Sequence, residues 1–415
     1  MNVSVIGCGY VGLVAAVCLA KLGHRITLVD VDEQKIEMLN NCQAPIHEPD
    51  VEEALSQSDL EVTSDYDCIS NSDLILLCVS TPTTDDGFIS LEYITQASEQ
   101  LAQVLKKKLD YCVVVVKSTV VPGTTTDVVI PILEKSGKKA GIDFGVCMVP
   151  EFLAEGKAIY DFMNPMRIVI GEYDTRSGDM ASQLYQSLGA PILRTNPITA
   201  EMIKYASNTF LATKISFINE IGNICKLLGI DTYEVARGMG ADDRIGSKFL
   251  NAGLGFGGSC LPKDIKALIS RVKQMGYEPR ILEEVWNLNE HQGANLVALL
   301  KKHILLKGST VGLLGLAFKP ETDDIRESRA IRLVKVLLKE GATIRAYDPA
   351  AVENFKCLFP QIEYVSSQKV LASDAIIIVT EWEEFSHLDY RGKIVIDGRR
   401  VPKAMEAKVY EGLCW

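Results

Sequence analysis

M-N-V-S-V-I-G-C-G-Y-V-G-L, residues 1–13, is the stretch that decides the fold. Residues 2–6 read as a β-strand, and Gly7, Gly9 and Gly12 follow it as G-x-G-x-x-G. Residues 10–22 then carry helical apolar spacing that stops at Gly23, a natural C-cap. Residues 26–29 read as a second strand, closed by Asp30, eighteen residues after Gly12. In that setting each glycine has its own task. Gly7 permits the tight turn, Gly9 lets a diphosphate approach, and Gly12 lets helix and strand pack closely. The unpaired N–H groups and the dipole at the helix start favour an anion there. Asp30 is placed to accept from ribose hydroxyls and to repel a 2′-phosphate, so the expected cofactor is NAD rather than NADP. The competing reading is a glycine-rich turn that holds no ligand.

Working outward, short apolar runs at residues 74–79, 112–116, 144–149 and 167–170 read as further strands separated by helical segments. That alternation predicts a parallel sheet with helices on both faces. From Thr199, read as an N-cap with Glu201 in the first turn, the pattern is helical and stops near Gly229. A second long helix follows Pro279 and runs towards His303. Past Gly308 the α/β rhythm resumes, with strands at 310–316, 343–347, 375–379 and 393–396 and a helix over 327–340. The expected fold is therefore α/β, with two Rossmann-like doubly wound domains joined by a central helical region. The domains are drawn at 1–198, 199–306 and 307–415. Long apolar helices between two such domains favour a homodimer or higher homo-oligomer.

Composition excludes several functions. A formal charge of −11 over 415 residues repels phosphate, which argues against nucleic acid and acidic membranes as partners. The eleven cysteines are odd in number and show no C-x-x-C spacing, so neither a disulfide framework nor a zinc site is expected. The five histidines form no ligand pair, and no metal is expected. No cationic leader and no membrane-length apolar run is visible, which places the chain in the cytoplasm with reduced thiols.

Residues 255–264, G-F-G-G-S-C-L-P-K-D, set Cys260 behind a glycine run, with Lys263 and Asp264 just after it. Gly257 and Gly258 would leave the backbone bare for a substrate and let amides face an oxyanion. A nearby cation would favour the thiolate. Read alone, the segment also fits a flexible turn with a small buried cysteine. Lys204 and Asn208 stand four apart on one helix face, a cation and an amide that can hold an oxygen becoming negative. The spacing by itself fits a solvated face better. Glu151 and Glu155, in P-E-F-L-A-E-G, follow a strand end, where α/β sheets bind ligands, and one could act as a base on water. Two exposed acids fit that spacing equally. Ser118-Thr119 marks another strand end and offers a hydroxyl to cofactor or water, or else an ordinary turn before Pro122.

Seven motifs in order cover nearly the whole chain: G-C-G-Y-V-G-L, S-T-V-V-P-G-T, P-E-F-L-A-E-G, E-M-I-K-Y-A-S-N-T, D-D-R-I-G, G-F-G-G-S-C-L-P-K-D and G-L-A-F-K-P-E-T-D-D-I-R-E-S. Together they resemble the NAD-dependent nucleotide-sugar 6-dehydrogenases. The resemblance implies oxidation of a sugar C6 alcohol to a carboxylate in two NAD-dependent steps, with Cys260 capturing the intermediate aldehyde. It implies that Lys204 and Asn208 stabilise the oxyanion, that Glu155 with Thr119 and a water handles the proton, and that Asp264 supports the cysteine or the water. It gives Tyr10, Val11, Lys35, Thr83, Thr119, Glu155, Lys263 and Arg326 to the cofactor, beside Gly7, Gly9, Gly12 and Asp30. Glu151, Phe152, Leu153, Glu155, Lys204 and Asn208 fall to the substrate. So do Phe249, Leu250, Asn251, Ala252 and Gly253, with Gly257 and Lys319. Arg244 would reach the sugar nucleotide from a neighbouring subunit.

The first domain would then bind NAD, the central region would carry dimerisation and catalytic residues, and the last would bind the UDP-sugar. UDP-glucose is the expected substrate, favoured by D-D-R-I-G and by D-G-R-R at residues 397–400. GDP-mannose is the rival, which the ending E-G-L-C-W resembles. N-acetylated UDP-sugars fit less well, because their dehydrogenases generally carry His where Ser259 stands. Val149, Leu261 and Arg329 depart from the family's commoner residues, and none of them removes a catalytic group. A non-catalytic dinucleotide-binding module is the alternative from a different class.

Overall fold

The strand that opens the chain, β1 (Asn2–Ile6), lies inside an eight-stranded sheet. The others are β2 (Arg25–Val29), β3 (Leu60–Thr63), β4 (Leu74–Leu77), β5 (Val113–Val116), β6 (Gly145–Met148), β7 (Ile168–Glu172) and β8 (Ile192–Thr195). Their order is β3-β2-β1-β4-β5-β6-β7-β8. The computed structural model describes residues 1–84 and 87–415, in two units, Met1–Ala206 and Ser207–Trp415.

β4, β5 and β6 are buried along their whole length, which is why L-I-L-L and V-V-V-V read as unbroken apolar runs. The sheet is parallel from β3 to β6, but β7 runs antiparallel to β6, with Cys147 opposite Glu172, and β8 follows β7. The wholly parallel sheet expected from the alternation is thus corrected at its far edge. A strand buried on both faces has the same composition in either direction, so the reversal leaves no local signal.

The helix read from Thr199 begins earlier and spans Pro197–Leu228. Asn196 is its cap, because Asn196 Oδ1 accepts from Thr199 N–H at 2.9 Å, and Pro197 takes the first helical position. Thr199 is therefore the third residue of the helix rather than its cap.

The second unit carries helices Thr232–Gly240, Leu261–Gln274 and Arg280–Leu300 before its own sheet. That sheet comprises β9 (Thr310–Leu314), β10 (Thr343–Tyr347), β11 (Glu363–Tyr364), β12 (Ala375–Ile378), β13 (Ile394–Asp397) and β14 (Val409–Gly412). Its order, β11-β10-β9-β12-β13-β14, is parallel throughout and repeats that of the first six strands of the chain. The Arg329–Lys339 helix is capped by Ser328, whose Oγ accepts from Ala330 N–H at 3.2 Å. Leu313, Ile376, Ile377, Val395, Phe355 and Phe385 fill the core around the sheet.

The eleven cysteines are free thiols. Cys8, Cys18, Cys78, Cys112, Cys147, Cys225 and Cys414 are buried, Cys68 and Cys260 are half-buried, and Cys42 and Cys357 are exposed. Among the described residues no helix is long and apolar enough to cross a membrane.

Candidate active site

The glycine turn of the first unit divides its work in the way its spacing suggests. Gly7 has φ +104°, and a Cβ there would lie 2.8 Å from Cys78 O. A Cβ on Gly12 would strike the carbonyl oxygen of Gly7. A Cβ on Gly9 would meet nothing within 4 Å. The first and third glycines are thus required by the protein's own packing, whereas the second faces open space beside a helix start that no side chain caps. Space of that kind over unpaired N–H groups suits a diphosphate.

Asp30 shapes this turn as well as facing it. Its Oδ2 accepts from Cys8 N–H at 2.5 Å and its Oδ1 from Asp32 N–H at 3.0 Å. A carboxylate retains further lone pairs beyond these two bonds, so a ribose hydroxyl can still be accommodated. Lys35 lies one turn along, 3.9 Å from Asp32. Thr83 pairs with Ile89 in a small bridge.

Tyr10 donates to Glu48 at 2.5 Å, and Glu48 also accepts from Gly156 N–H at 2.7 Å and Ala158 N–H at 2.6 Å. One buried carboxylate thereby fastens the cofactor turn to the loop that carries Glu155. Burial, and then the hydrogen bond to Glu48, hold the Tyr10 hydroxyl far above its ordinary range. Glu48 lies in I-H-E-P-D, outside every motif noted above, and only its three-dimensional partners reveal it.

Glu151 and Lys204 form a buried ion pair at 2.7 Å, and Glu151 also accepts from Leu153 N–H at 2.7 Å. Burial alone would raise the Glu151 pKa, but Lys204, the backbone bond and Lys117 outweigh it and hold the carboxyl below its usual range. Lys204 Nζ also sits 5.5 Å above the Phe152 ring, and Arg167 packs on that ring at 4.1 Å. A solvated face is thus excluded for Lys204, as are exposed acids for Glu151; Glu155 is half-buried.

Thr119 belongs to the loop after β5. Its carbonyl accepts from Thr81 Oγ1 at 2.9 Å, and Ser118 Oγ donates to Val79 O at 2.7 Å. Glu201 pins the far end of the same loop, accepting from Gly123 N–H at 2.6 Å and from Thr125 N–H at 2.8 Å. Read from sequence as a first-turn acid of its own helix, Glu201 is fully buried and caps another segment instead.

In the second unit Cys260 is the N-cap of the Leu261–Gln274 helix, with Ser259 Oγ 3.5 Å from its Sγ. A helix N-terminus favours thiolate over thiol. Asp264, in the first turn, is 1% exposed and accepts from Asn208 Nδ2 at 2.6 Å, while Lys263 Nζ lies 2.9 Å from its other oxygen. Asn208 is therefore a buried partner of Asp264.

The glycine run is small for a different reason from the one its sequence suggests. A Cβ on Gly257 would lie 2.5 Å from Glu327 O, and one on Gly258 would lie 2.6 Å from the Phe318 ring. Gly258 N–H donates to Arg326 O at 2.9 Å. The backbone is thus packed against the segment 318–327, and the Gly258 amide is spent within the fold. Lys319 stands 5.7 Å from the Phe318 ring, and Arg326 pairs with Asp324 at 2.6 Å.

Residues 249–253 form a turn in which Phe249 takes φ +64° and remains 43% exposed, whereas Leu250 and Ala252 are buried. Asn251 is exposed. Gly253 N–H donates to Asn219 Oδ1 at 2.8 Å, and Ala252 O accepts from Tyr233 at 3.0 Å. Arg244 is 89% exposed and pairs with Asp242 at 2.6 Å.

Known proteins match this arrangement along its length. The NAD-binding, central and UDP-binding domains of the UDP-glucose/GDP-mannose dehydrogenase family match residues 1–189, 198–291 and 312–404. The chain belongs to that family. It is accordingly an NAD-dependent oxidoreductase. UDP-glucose 6-dehydrogenase AglM of Haloferax volcanii is 45% identical over 100% of both chains. A GDP-mannose 6-dehydrogenase of Pseudomonas savastanoi is 40% identical, again over 100% of both. Among solved structures, a UDP-glucose dehydrogenase from Pyrobaculum islandicum superposes with a TM-score of 0.96 at 42% identity, covering 100% of this chain and 98% of that one. The dehydrogenase carries both parts of the sequence reading, a cofactor turn in one unit and a cysteine-bearing helix in the other. Glu48 and the capping role of Glu201 are the parts that sequence did not reveal.

Proposed function

We propose that this dehydrogenase converts UDP-glucose to UDP-glucuronate by two successive oxidations at C6. The observation that carries the mechanism is Cys260 at a helix N-terminus, with Asp264 in the following turn paired to Lys263 and accepting from Asn208 of the Pro197–Leu228 helix. The substrate rests on the 45% identical relative and on D-G-R-R.

Gly7, Gly9, Gly12 and Asp30 would hold NAD in the space above Gly9, with Tyr10, Val11, Lys35, Thr83, Lys263 and Arg326 as further contacts. Bound NAD supplies a hydride acceptor for each oxidation. In the first, the C6 hydroxyl gives up its proton, by way of Glu155, Thr119 and a water, and becomes an aldehyde. Cys260 Sγ then bonds to C6, giving a thiohemiacetal whose oxygen Lys204 and Asn208 stabilise. Loss of the second hydride and the hydroxyl proton leaves a thioester. Water activated by Glu155 attacks it, the C6–S bond breaks, and carboxylate and thiol are released. Phe249, Leu250, Asn251, Ala252, Gly253, Gly257 and Lys319, with Glu151, Phe152 and Leu153, form the proposed sugar-nucleotide contacts.

The enzyme acts in the cytoplasm as a homo-oligomer in this reading. Phe210, Phe217 and Ile224 recur every seven residues on one helix and are 64%, 47% and 46% exposed, a stripe suited to a second copy. Arg244, exposed as it is, would serve a neighbour's substrate. GDP-mannose remains the second reading, favoured by the GDP-mannose 6-dehydrogenase that matches over its full length.

The test is NADH yield with UDP-glucose, GDP-mannose and UDP-N-acetylglucosamine, each limiting. About two NADH per UDP-glucose, the two-hydride stoichiometry, with the others at background, is the expected result. Two per GDP-mannose would move the substrate. Binding of NAD without turnover of any sugar would return the chain to a non-catalytic module.

A further inference from the structure

The glycine run that leads to Cys260 is gripped by a side chain outside every sequence motif noted above. Asn289 lies within the Arg280–Leu300 helix and is fully buried. Its Oδ1 accepts from Phe256 N–H at 2.7 Å, and its Nδ2 donates to Phe256 O at 3.1 Å. The carboxamide pairs with that peptide backbone as an adjacent strand would. Residue 255 has no alternative to glycine beside it, since φ is +98° and a Cβ there would run into Asn289 Oδ1. The Phe256 side chain is held as well, packed with Ala212, Ile265 and Val285.

From the other side, Arg326 O takes the Gly258 N–H at 2.9 Å. Arg329, one of the departures noted in the sequence, ties the two grips together. Its Nη1 donates to Glu290 Oε1 at 3.1 Å and to Asn289 O at 3.4 Å, and its Nη2 donates to Glu327 O at 3.0 Å. The backbone is thus bonded at Phe256 N, Phe256 O and Gly258 N, just ahead of Cys260. Side chains that hold a reactive group's backbone in this way set its aim, and an error of about 1 Å in aim can cost about a hundredfold in rate.

We infer that Asn289 is a positioning residue for Cys260, holding the 255–258 backbone so that Sγ meets C6 as soon as the aldehyde forms. This rests on Cys260 being the nucleophile. Asn289→Asp tests it, because it keeps the acceptor for Phe256 N–H and replaces the donor with an oxygen facing Phe256 O. With the sugar turned over by the wild type, kcat should fall at least tenfold while the KM for NAD stays within twofold. The NADH yield per sugar should drop from about two towards one, with free aldehyde recovered as its hydrazone, because the captured intermediate is lost. A merely structural role would lower the amount of active enzyme and leave the yield at two. A yield of two with kcat within twofold overturns the inference. Should Asn289→Asp not fold, Arg329→Gln loosens the same clamp, and an unchanged yield and kcat there overturn it equally. Cys260→Ala runs alongside. Full turnover by that variant removes the nucleophile and the inference together, whereas an inactive Cys260→Ala beside a wild-type-like Asn289→Asp removes the inference alone.

Discussion

At the end of β1 the chain turns through Gly7, with φ +104° and its N–H given to Val29 O at 2.7 Å. At the end of β9 it turns through Gly315, with φ +95° and its N–H given to Tyr347 O at 2.9 Å. Both glycines press on the chain just beyond the neighbouring strand, Gly7 on Cys78 O and Gly315 on Thr380. Beyond that point the two turns diverge. Two residues on, the first has Gly9 facing open space and the second has Ala317. The first continues at once into the Tyr10–Lys21 helix, whereas the second reaches its helix only at Arg329.

The acids closing the second strand of each sheet diverge in the same sense. Asp30 accepts from Cys8 and Asp32 and stays half-buried. Asp348 is 2% exposed and is saturated by Leu316, Ala317, Ala350 and Ala351 N–H groups and by Trp382 Nε1 at 3.1 Å. In the second unit the acid's accepting capacity is spent within the fold. Strand order alone therefore does not make a dinucleotide site; room above the turn and an acid with spare lone pairs do.

Three substitutions can break or sharpen that contrast. Gly9→Ala puts a Cβ into the open space, where nothing of the protein lies within 4 Å, so the KM for NAD should rise about a hundredfold, roughly 2.7 kcal/mol, with the melting temperature nearly unchanged. An unaltered KM would mean that the diphosphate lies elsewhere. Asp348→Ala should do the reverse. It strands several buried donors, and urea unfolding should show a loss of about 2 kcal/mol or more while the KM for NAD holds. A raised KM for NAD in that variant would give the second turn a cofactor role and end the contrast. Asp30→Ala should have the smallest effect, about a tenfold fall in preference for NAD over NADP, or roughly 1.4 kcal/mol. An unchanged preference would leave Asp30 as a brace for the Cys8 amide alone.

Much of this was legible from residue patterns because the features are local. The glycine spacing, the Gly23 stop and the buried valines of β5 each follow from backbone geometry or periodicity within a few residues. The clustering of Lys263 and Asp264 behind Cys260 was equally plain. Contacts between segments far apart in sequence were not. Glu48 reaches Gly156 across 108 positions, and Glu201 reaches Gly123 across 78. Asn289 looks like any polar helix residue until Phe256 is placed against it. Gly257 and Gly258 read from sequence as bare backbone open to a substrate, whereas a Cβ at either would meet Glu327 or Phe318, which no local pattern links to them.

The distribution of thiols has a practical consequence for chemical probing. Burial pushes Cys18, Cys78, Cys147 and Cys414 up to about 12, and Cys112 to about 11. At pH 8 a thiol of pKa 12 is ionised in only about one molecule in ten thousand, and burial shields it from reagents besides. To an electrophile this chain of eleven cysteines therefore presents Cys42, Cys68, Cys260 and Cys357. Three conservative serine replacements would leave Cys260 as the one accessible handle, so that a fluorophore or a covalent fragment could be directed to that helix cap without rebuilding the interior.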